Sequence, residues 1–553
     1  MKKIKSEKFR ANFIIVVILM LIVNIAPVVL YSQNTNSIII KPDQLNIDAD
    51  VYSVKPGDTI YIESGFRKQL RLANFHGDAS NYIVFINLGG EVIFENDNQY
   101  GILIQNCSFF RLTGTGSTDS EYGIRILETR ENASGMSINS LSTDFEIDHL
   151  EIANTGFAGI MAFSQPTSDK KANRGNFVQE NTVIHDNYIH NTIGEGLYIG
   201  HSFYNGITSE NSTETLYPHD LKGVRIYKNR IEHTGWDGMQ VGCATSDCEI
   251  FDNKISNYGE GMVVSQHSGI QISGGTTGKC YNNEIENGSG HGISVFGLGD
   301  NLVYNNLILN AGYNYFPEDK SKRIYGIFCD DRSTIAGKSF NFINNTIISP
   351  KSDGIRFYST LSSNNKLYNN VIINPGSIGD YSDVSQSYIY LNKGVDVEAS
   401  NNYCKKEQLD SNMEDANSIY DFTGTLDVFG KGKDVLDFGI SKDFFNETRP
   451  EFGQNDIGAF QFDSTIRARF KQKTTVNNLY PNPSIGSFVV ENIENERIKK
   501  ITITDINGMK IYENNSTDNT LIALNLDGNL KKGIYFVNVE TRNHHSSEKL
   551  IIN

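Results

Sequence analysis

One short pattern recurs nine times along the chain and constrains its fold more than any other feature. In each copy a glycine is followed by apolar residues at alternate positions, as in "YGILI" at 100–104 and "SGIQI" at 268–272. Alternation with period two is typical of a strand, so the pattern predicts one short strand per repeat. The glycines are 101, 123, 159, 196, 238, 269, 292, 326 and 354, with spacings of 22, 36, 37, 42, 31, 23, 34 and 28 residues.

A second column, made of asparagines, precedes the glycines in segments such as "YKNRI" and "YNNEI". Asparagine tolerates left-handed turn geometry, and its side-chain amide can bond to the same residue one coil away. Irregular distances to the next glycine indicate extra loops at about 257–268 and 310–325. The column comprises asparagines 187, 229, 253, 283, 306, 345 and 370, and four of them (187, 229, 283 and 345) lie nine residues before the next glycine.

Together the two columns predict an all-β chain with a right-handed parallel β-helix over residues 33–465. One coil cannot bury its apolar side alone, so stacked coils would share a continuous core. A β-propeller would need about 40 residues per blade, and the 22- and 23-residue spacings argue against it. The segment "VKPGDTIYIESG" at 54–65 resembles the first coil of secreted β-helix proteins, and "NDIGAFQF" at 455–462 resembles the segment that ends such helices.

The last 75 residues follow a different pattern. Alternating strands with Asn-Gly, Asp-Gly and Lys-Gly turns predict a small antiparallel sandwich over 479–553, after a polar linker at 466–478. "YPNP" at 480–483, "DINGMKIY" at 505–512, "GIY" at 533–535 and "KLI" at 549–551 resemble the C-terminal sorting domain of type IX secretion substrates of Bacteroidota. The resemblance implies the type IX machinery as a partner, then release or attachment at the cell surface. The alternative is a carbohydrate-binding sandwich.

The N-terminus predicts export. A basic flank, an apolar run from Phe13 to Leu30 and a small residue at Ser32 are typical of a signal peptide over 1–32. The alternative is a retained membrane anchor, since the run approaches spanning length. No later segment is apolar enough to cross a bilayer, so we expect a mature chain without a membrane span. We also expect the protein to be a monomer.

The charge of the chain argues against nucleic acids and anionic membranes as partners, and a polyanionic substrate would need a local basic patch. The formal net charge is −16, and residues 1–32 contribute five basic side chains and one acid, which leaves about −20 for the remainder. Nucleic acids and anionic membranes bind to positively charged protein surfaces. An extracellular polysaccharide is the expected partner.

Six cysteines show no zinc-like spacing, although Cys243 and Cys248 are close enough to bridge across a turn.

Candidate site residues lie in the columns that flank each glycine and are expected to point outward. Enzymes and binding proteins on this fold use one sheet face walled by long turn loops. From residue 195 to 356 these columns become polar, and the inserted loops at about 164–182, 201–222, 257–268 and 310–325 cluster there. The candidates for substrate binding on this face are Tyr198, Gln240 and Gln271, with Trp236 as a ring that could stack on a sugar.

Two acids suggest glycoside hydrolysis, which needs a pair of carboxylates at a fixed separation. Glu195 and Asp237 occupy the same column one coil apart, a distance of roughly 4.8 Å on this fold. So close a pair would split the two pKa values. The alternative is structural, because an acid before a turn glycine often accepts backbone N–H bonds.

A second enzymatic interpretation is β-elimination on a uronic acid, as in lyases of this fold. It needs a cation beside the substrate carboxylate and a base for the C5 proton. Lys222 and Arg225 begin a local basic strip, and further candidates for this chemistry are Arg356, His201 and His291. Asp330 and Asp331 are candidate ligands if calcium supplies the cation.

Two further alternatives stay open. "YPHD" at 217–220 partly resembles the Asp-Pro-His motif of mannuronan C5-epimerases, in which case His219 would be the base, but Tyr217 stands where the motif has its acid. A β-helix also needs no catalytic site to be stable, so the chain could be a glycan-binding or adhesin-like surface protein. The uneven loops around 195–356 favour an enzyme or a glycan binder.

Overall fold

The computed structural model describes residues 38–95, 100–208, 214–319, 321–376, 387–407, 416–425, 427–450, 453, 455–462, 477–492, 497–506, 508–528, 530–541 and 545–553. The predicted signal peptide and most of the predicted linker lie outside this part. The chain divides into residues 1–39 and 40–553, and strand Ile38–Ile40 covers the residues on either side of this division. Within the described residues, no helix is long and apolar enough to cross a membrane.

Twelve parallel strands form one continuous sheet, which we call the front sheet. Each strand is three or four residues long and pairs with the same position of the next coil, as Gln240 does with Gln271. Alternate residues point into the core, so Leu197 and Ile199 are fully buried. The strands are Asn46–Asp48, Leu70–Ala73, Ile102–Gln105, Met136–Asn139, Ile160–Ala162, Leu197–Ile199, Met239–Val241, Ile270–Ile272, Ile293–Val295, Ile327–Cys329, Ile355–Phe357 and Ile389–Leu391.

The remaining coil walls form a second sheet of two parallel ladders, which we call the side sheet. Strands Thr59–Arg67 and Ile83–Glu95 start it and run through both ladders. One ladder comprises Ser108–Thr113, Thr143–Asp148, Thr182–His185, Arg225–Tyr227, Cys248–Phe251, Gly278–Tyr281, Asn301–Tyr304, Phe340–Ile343, Asn365–Tyr368 and Val397–Ser400. The other comprises Ile124–Glu128, Leu150–Ala153, Tyr188–Thr192, Arg230–Thr234, Lys254–Ser256, Glu284–Glu286, Leu307–Leu309, Thr346–Ile348, Val371–Ile373 and Tyr403–Lys405. The predicted parallel β-helix is confirmed.

The asparagine column is a hydrogen-bonded ladder at the bend between the two side ladders. The amide of Asn283 donates to the Oδ1 of Asn306 at 2.9 Å, and the same bond links each successive pair from Asn187 onward at 2.9–3.0 Å. The ladder continues one step past its predicted end, from Asn370 to Asn402. The left-handed residue is the one before each column asparagine, such as Asn282 with φ 53°. The column asparagine itself supplies the bonds.

Contacts between neighbouring coils explain the glycine column. Of the predicted column, Gly196 and Gly238 lack positive φ, and a Cβ on Gly196 would lie 2.5 Å from the Gly238 carbonyl oxygen and 2.6 Å from an Ile231 methyl. Close approach of the coils therefore selects glycine. Gly123 is not in this column, because it opens a side-sheet strand. Gly135 takes its place, since the Gly101 N–H donates to the Gly135 carbonyl oxygen.

Residues 416–462 run back over the last coils as a strap. The only α-helix among the described residues is Ala416–Thr423, and short 3-10 turns lie at Ala49–Val51 and Leu436–Phe438. Ile419, Val428 and Phe460 share an apolar cluster with side-sheet residues such as Val371. The predicted terminating segment 455–462 belongs to this strap. Small accessory strands lie at Val178–Glu180, Asp220–Lys222, Ala244–Ser246, Ile207–Thr208 and Thr215–Leu216.

The C-terminal segment folds as two antiparallel sheets, which confirms the predicted sandwich. One sheet holds Asn477–Tyr480, Ser487–Asn492 and Leu521–Asn525, and the other holds Ile498–Asp505, Lys510–Asn519, Gly533–Glu540 and His545–Ile552. Alternate residues such as Val490, Ile501 and Val537 are fully buried between them. The period-two pattern read from the sequence sets which face is buried.

Candidate functional site

A cleft of about 350 Å³ opens on the outer face of the front sheet, and we call it the main cleft. Gln240 and Gln271 form its floor, each at the centre of a front strand. Its walls are the loops at 202–206 and 264–266, together with Phe296 and Arg332. These loops lie within the predicted insertions at 201–222 and 257–268.

A chain of hydrogen bonds fixes the polar floor. The Gln271 amide donates to the Gln240 Oε1 at 2.6 Å, and the Gln240 amide donates to the Ser202 hydroxyl at 2.9 Å. The Ser202 hydroxyl is also 2.8 Å from the Tyr198 hydroxyl. Three of the predicted substrate-binding residues, Tyr198, Gln240 and Gln271, therefore belong to one network at the cleft floor.

Glu195 and Asp237 lie in adjacent coils, but both are fully buried rather than outward-facing. Neither oxygen of the Glu195 carboxyl has a hydrogen-bond partner. The Asp237 Oδ1 accepts the Ser268 N–H at 2.5 Å, and its Oδ2 has no partner. Because buried polar groups are normally satisfied, three unsatisfied carboxyl oxygens in neighbouring coils call for an explanation.

Burial shifts both acids toward the protonated form. Desolvation raises the pKa of Glu195 to about 7. Desolvation, and then the nearby charge of Glu195, raises the pKa of Asp237 well above its usual value, while the guanidinium of Arg332 opposes that shift. The charge of Glu195 also contributes to the raised pKa of Tyr198, behind its burial. The pair is thus electrostatically coupled to two residues of the main cleft and its floor.

The same column elsewhere serves the backbone. The His291 Nδ1 accepts the Tyr325 N–H at 3.0 Å, and the Asp353 Oδ1 accepts the Ser387 N–H at 2.8 Å. Asp237 makes the equivalent bond, which is the structural role foreseen as the alternative. Glu195, in contrast, makes no hydrogen bond with either oxygen of its side chain.

Three predicted catalytic residues make contacts that stabilise the fold. Arg356 forms a buried ion pair with Asp353 at 2.6 Å. Burial lowers the pKa of His291 well below its usual value, and its ring stacks on Tyr325 at 4.9 Å. His201 packs against Phe163 at 5.2 Å, and burial lowers its pKa to about 4.

None of the residues of the epimerase-like motif lines the main cleft. The Nε2 of His219 accepts the Ser164 N–H at 3.0 Å, and its Nδ1 faces the Asp220 carbonyl oxygen at 3.2 Å. The ring is buried under Phe177, and burial lowers its pKa to about 4. A neutral histidine that holds a loop in this way has no face left for substrate.

The basic strip also lies away from the main cleft. Lys222 is the last residue of the central strand of the small accessory sheet, and Arg225 is on the side sheet, 3.8 Å from Glu249. Neither residue lines the main cleft. The cation at the cleft wall is Arg332, which sequence reasoning missed because it lies in a loop outside the repeat columns. Its guanidinium covers the Phe296 ring at 3.8 Å.

The aromatic residues of the site differ from the predicted one. Trp236 is half-buried and meets the Phe157 ring edge-on at 5.4 Å, so it packs the turn between coils. Phe203 lines the main cleft and is 61% exposed. The sequence places Phe203 only in a loop, so the exposed ring beside the cleft was not foreseen.

The predicted metal ligands do not converge. Asp331 Oδ2 accepts the N–H groups of Thr360 and Leu361 at 2.6 and 3.1 Å, and Asp330 Oδ1 accepts the Asp331 N–H. These acids cap a turn, and their oxygens do not form a calcium cage. The six cysteines are free, and Cys243 and Cys248 are buried without a bridge.

One group of three metal-type side chains lies in the described part of the chain, on the side sheet. It comprises Glu146, Asp148 and His185. The guanidinium of Arg111 already lies 3.1 Å from Glu146 and 2.7 Å from Asp148, and Asp186 holds the other His185 nitrogen at 2.6 Å. The Arg111 guanidinium therefore occupies the position between the two acids that a metal ion would need.

Comparisons with known proteins agree with this architecture. Residues 218–413 match the family described as the right handed beta helix region, and residues 478–553 match the secretion system C-terminal sorting domain. No curated protein matches the chain.

The solved structures to which the chain is similar share little sequence with it. The mannuronan C-5 epimerase AlgE6 A-module of Azotobacter vinelandii is 13% identical, with 64% of this chain and 92% of that chain covered and a TM-score of 0.33. An alginate lyase of Paenibacillus sp. is 12% identical over 66% and 99%, with a TM-score of 0.33. XylC, in complex with xylose, is 11% identical over 76% and 95%, with a TM-score of 0.37.

The strand ladders and the two family matches lead to one assignment. The described coils form the parallel β-helix, and the final segment forms the two-sheet domain that type IX secretion recognises. The chain is therefore a right-handed parallel β-helix protein with a secretion-system C-terminal sorting domain, exported to the cell exterior or the cell surface.

Proposed function

We propose that the protein is a polysaccharide-cleaving glycoside hydrolase, with Glu195 and Asp237 as its carboxyl pair and the main cleft as its substrate site. The observation that carries the proposal is the pair of buried, incompletely satisfied carboxyl groups coupled to the cleft. Buried groups with raised pKa values beside a cleft are characteristic of acid–base sites.

Glycoside hydrolysis needs one carboxyl that gives a proton and one that is ionised. The two pKa values support this division, because Asp237 is pushed well above its usual range while Glu195 titrates near 7. Asp237 would then protonate the oxygen of the leaving sugar, while the Glu195 carboxylate attacks the anomeric carbon as the nucleophile. A rise of roughly 4.8 Å per coil is closer to the separation of about 5 Å in retaining enzymes than to the wider spacing in inverting ones.

Substrate must reach carboxyl groups that are covered in the free protein. Residues 259–268 lie over this coil, with the Gly259 N–H donating to the Trp236 carbonyl oxygen at 3.0 Å. The exposed part of the same loop, including Val264, forms a cleft wall. We propose that this loop moves when a glycan enters, since loops that close over substrate are a common gating element.

A second candidate is β-elimination, and Arg332 is the observation that favours it. Its guanidinium lies at the cleft wall, where it could neutralise a uronate carboxylate. Glu195 would then be the base for the C5 proton. A non-catalytic glycan-binding protein is the remaining alternative.

The test incubates the full chain with a panel of neutral and acidic polysaccharides and follows both new reducing ends and the ultraviolet absorbance of unsaturated sugars. Hydrolysis gives reducing ends without absorbance, and elimination gives both. E195Q and D237N should each lower the rate at least about 100-fold. The matched controls are E249Q, on the side sheet, and D252N, at the bend after the same strand, and both should keep the wild-type rate. Glycan binding without any product would contradict both enzymatic proposals.

A further inference from the structure

A second cleft, of about 640 Å³, lies on the outer face of the front sheet near its N-terminal end, and we call it the distal cleft. Its base lies over strands Ile102–Gln105, Met136–Asn139 and Ile160–Ala162. The loop that begins at Ser164 forms one wall. None of the residues proposed for catalysis lines it.

Amide side chains in the distal cleft are held in a fixed order. The Arg71 Nε donates to the Gln105 Oε1 at 2.8 Å, and the Gln105 amide donates to the Asn139 Oδ1 at 3.2 Å. The Asn106 amide donates to the Asn74 Oδ1 at 2.8 Å. Within the described residues, this order leaves the Asn139 amide and the Asn106 Oδ1 without a protein partner. One oriented donor and one oriented acceptor therefore remain for a ligand.

The distal cleft also offers apolar contact and little net charge. Met161 and Phe163 lie beside the amides in its lining. Its charged residues are Asp169 and Lys171, which pair with each other at 3.8 Å. The main cleft, in contrast, carries the guanidinium of Arg332. Planar amides beside apolar surface, without a free charge, suit an uncharged ligand rich in hydroxyl groups.

The two clefts follow one line along the helix axis. Strand Leu197–Ile199 lies between them, where the Phe163 ring contacts Tyr198 at 4.9 Å. Their centres are three to four coils apart, roughly 17 Å at one strand spacing per coil. A single sugar cannot span that distance, whereas an extended oligosaccharide along the axis can.

We propose that the distal cleft binds an uncharged segment of the same glycan chain whose scissile region occupies the main cleft. The inference rests on the proposed function for the identity of that chain, and it adds its class: a polymer with neutral sugars at the distal end. Asn139 is a positioning residue, because it contacts a part of the ligand far from the reacting bond.

The test measures binding by calorimetry, apart from cleavage. The probes are cellohexaose, xylohexaose, mannohexaose and laminarihexaose, with hexagalacturonate as the charged comparison. We expect at least one neutral hexasaccharide to bind, and its trisaccharide to bind at least about tenfold more weakly because it fills one cleft. N139A should weaken the hexasaccharide about tenfold, because the substitution removes the amide that contacts the ligand in the distal cleft. N538A, a half-buried strand asparagine of the sorting domain, is the matched control.

The outcomes separate this inference from the catalytic proposal. E195Q should keep hexasaccharide binding and lose cleavage, and N139A should raise KM for the hexasaccharide with kcat unchanged. If the wild-type protein binds but cleaves nothing, the hydrolase proposal fails while the N139A effect on affinity still decides the distal cleft. Equal affinities of N139A and N538A, with circular dichroism unchanged, would overturn the inference. So would failure of all four neutral hexasaccharides to bind, or a preference for hexagalacturonate.

Discussion

Two regions of the front sheet place acids at the same position of the repeat and treat them in opposite ways. Asp353 is buried with a complete set of partners, because Arg356 pairs with it at 2.6 Å and the Ser387 N–H reaches its other oxygen. Glu195, two residues before Leu197 in an earlier coil, is equally buried and has no partner on either oxygen. The first arrangement stabilises the fold, whereas the second costs stability and is what an acid–base site requires.

Removing the partner of Asp353 should have the largest effect. R356M leaves a buried carboxylate without its counter-charge, so we expect the free energy of unfolding at pH 7 to fall by about 3–5 kcal/mol. Urea unfolding followed by circular dichroism measures it. R225M is the control, because the Arg225 side chain is 60% exposed in its ion pair with Glu249. Equal losses for the two variants would mean that burial of the pair does not matter.

Removing the unpartnered acid should have the opposite sign. Burial raises the pKa of Glu195 from 4.5 to about 7, so the folded state binds the extra proton between these values. The contribution of Glu195 to the free energy of unfolding is therefore most favourable below pH 4.5, and this advantage is lost as the pH rises through 7. We expect E195Q to be about 3 kcal/mol more stable than the wild-type protein at pH 8, and close to equal at pH 4.

The measurement is urea unfolding of E195Q and wild-type protein at both pH values. E249Q, which changes a half-buried glutamate on the side sheet, should show no such pH-dependent gain. A stability gain for E195Q that is the same at pH 4 and pH 8 would contradict a raised pKa for Glu195.

The smallest effect is expected for an exposed aromatic ring in the loop at 202–206. Phe203, 61% exposed, lines the main cleft. F203A should weaken binding of a cleaved polysaccharide by about 1 kcal/mol, with no change in the free energy of unfolding. F66A removes a similarly exposed ring elsewhere and should leave affinity unchanged. Matching affinities for F203A and wild-type protein would remove Phe203 from the proposed binding surface.

Much of the fold was predictable because repeats report their own register. The two columns predict the number of coils between residues 187 and 370. The structure adds one further step of the asparagine ladder, to Asn402. The error at Gly123 has a physical reason. A glycine before alternating apolar residues opens strands on both sheets, and both kinds are crowded. A Cβ on Gly135 would lie 2.9 Å from the carbonyl oxygen of Gly159, the column glycine of the next coil, whereas a Cβ on Gly123 would lie 2.2 Å from the Gly114 carbonyl oxygen.

The site was predictable in part. Columns of the repeat carry Tyr198, Gln240 and Gln271 to one network at the cleft floor, as the register predicts. The register also places Glu195 and Asp237 in adjacent coils, but both are buried rather than outward-facing as expected. Loop residues carry no register, which is why Phe203 and Arg332 were missed. The predicted roles of Arg356 and His291 depended on what else reaches them, and the structure supplies structural partners for both.

The sequence by itself determined the coil repeat, the asparagine ladder, the sorting domain and the adjacency of Glu195 to Asp237, because each depends on period and register. Only the tertiary structure decided which acids are paired, which are buried, and where the loops leave a cleft. Those outcomes depend on contacts between residues far apart in the chain, such as Arg332 near Asp237. A buried carboxyl group becomes reactive or structural according to such contacts, and no local pattern records them.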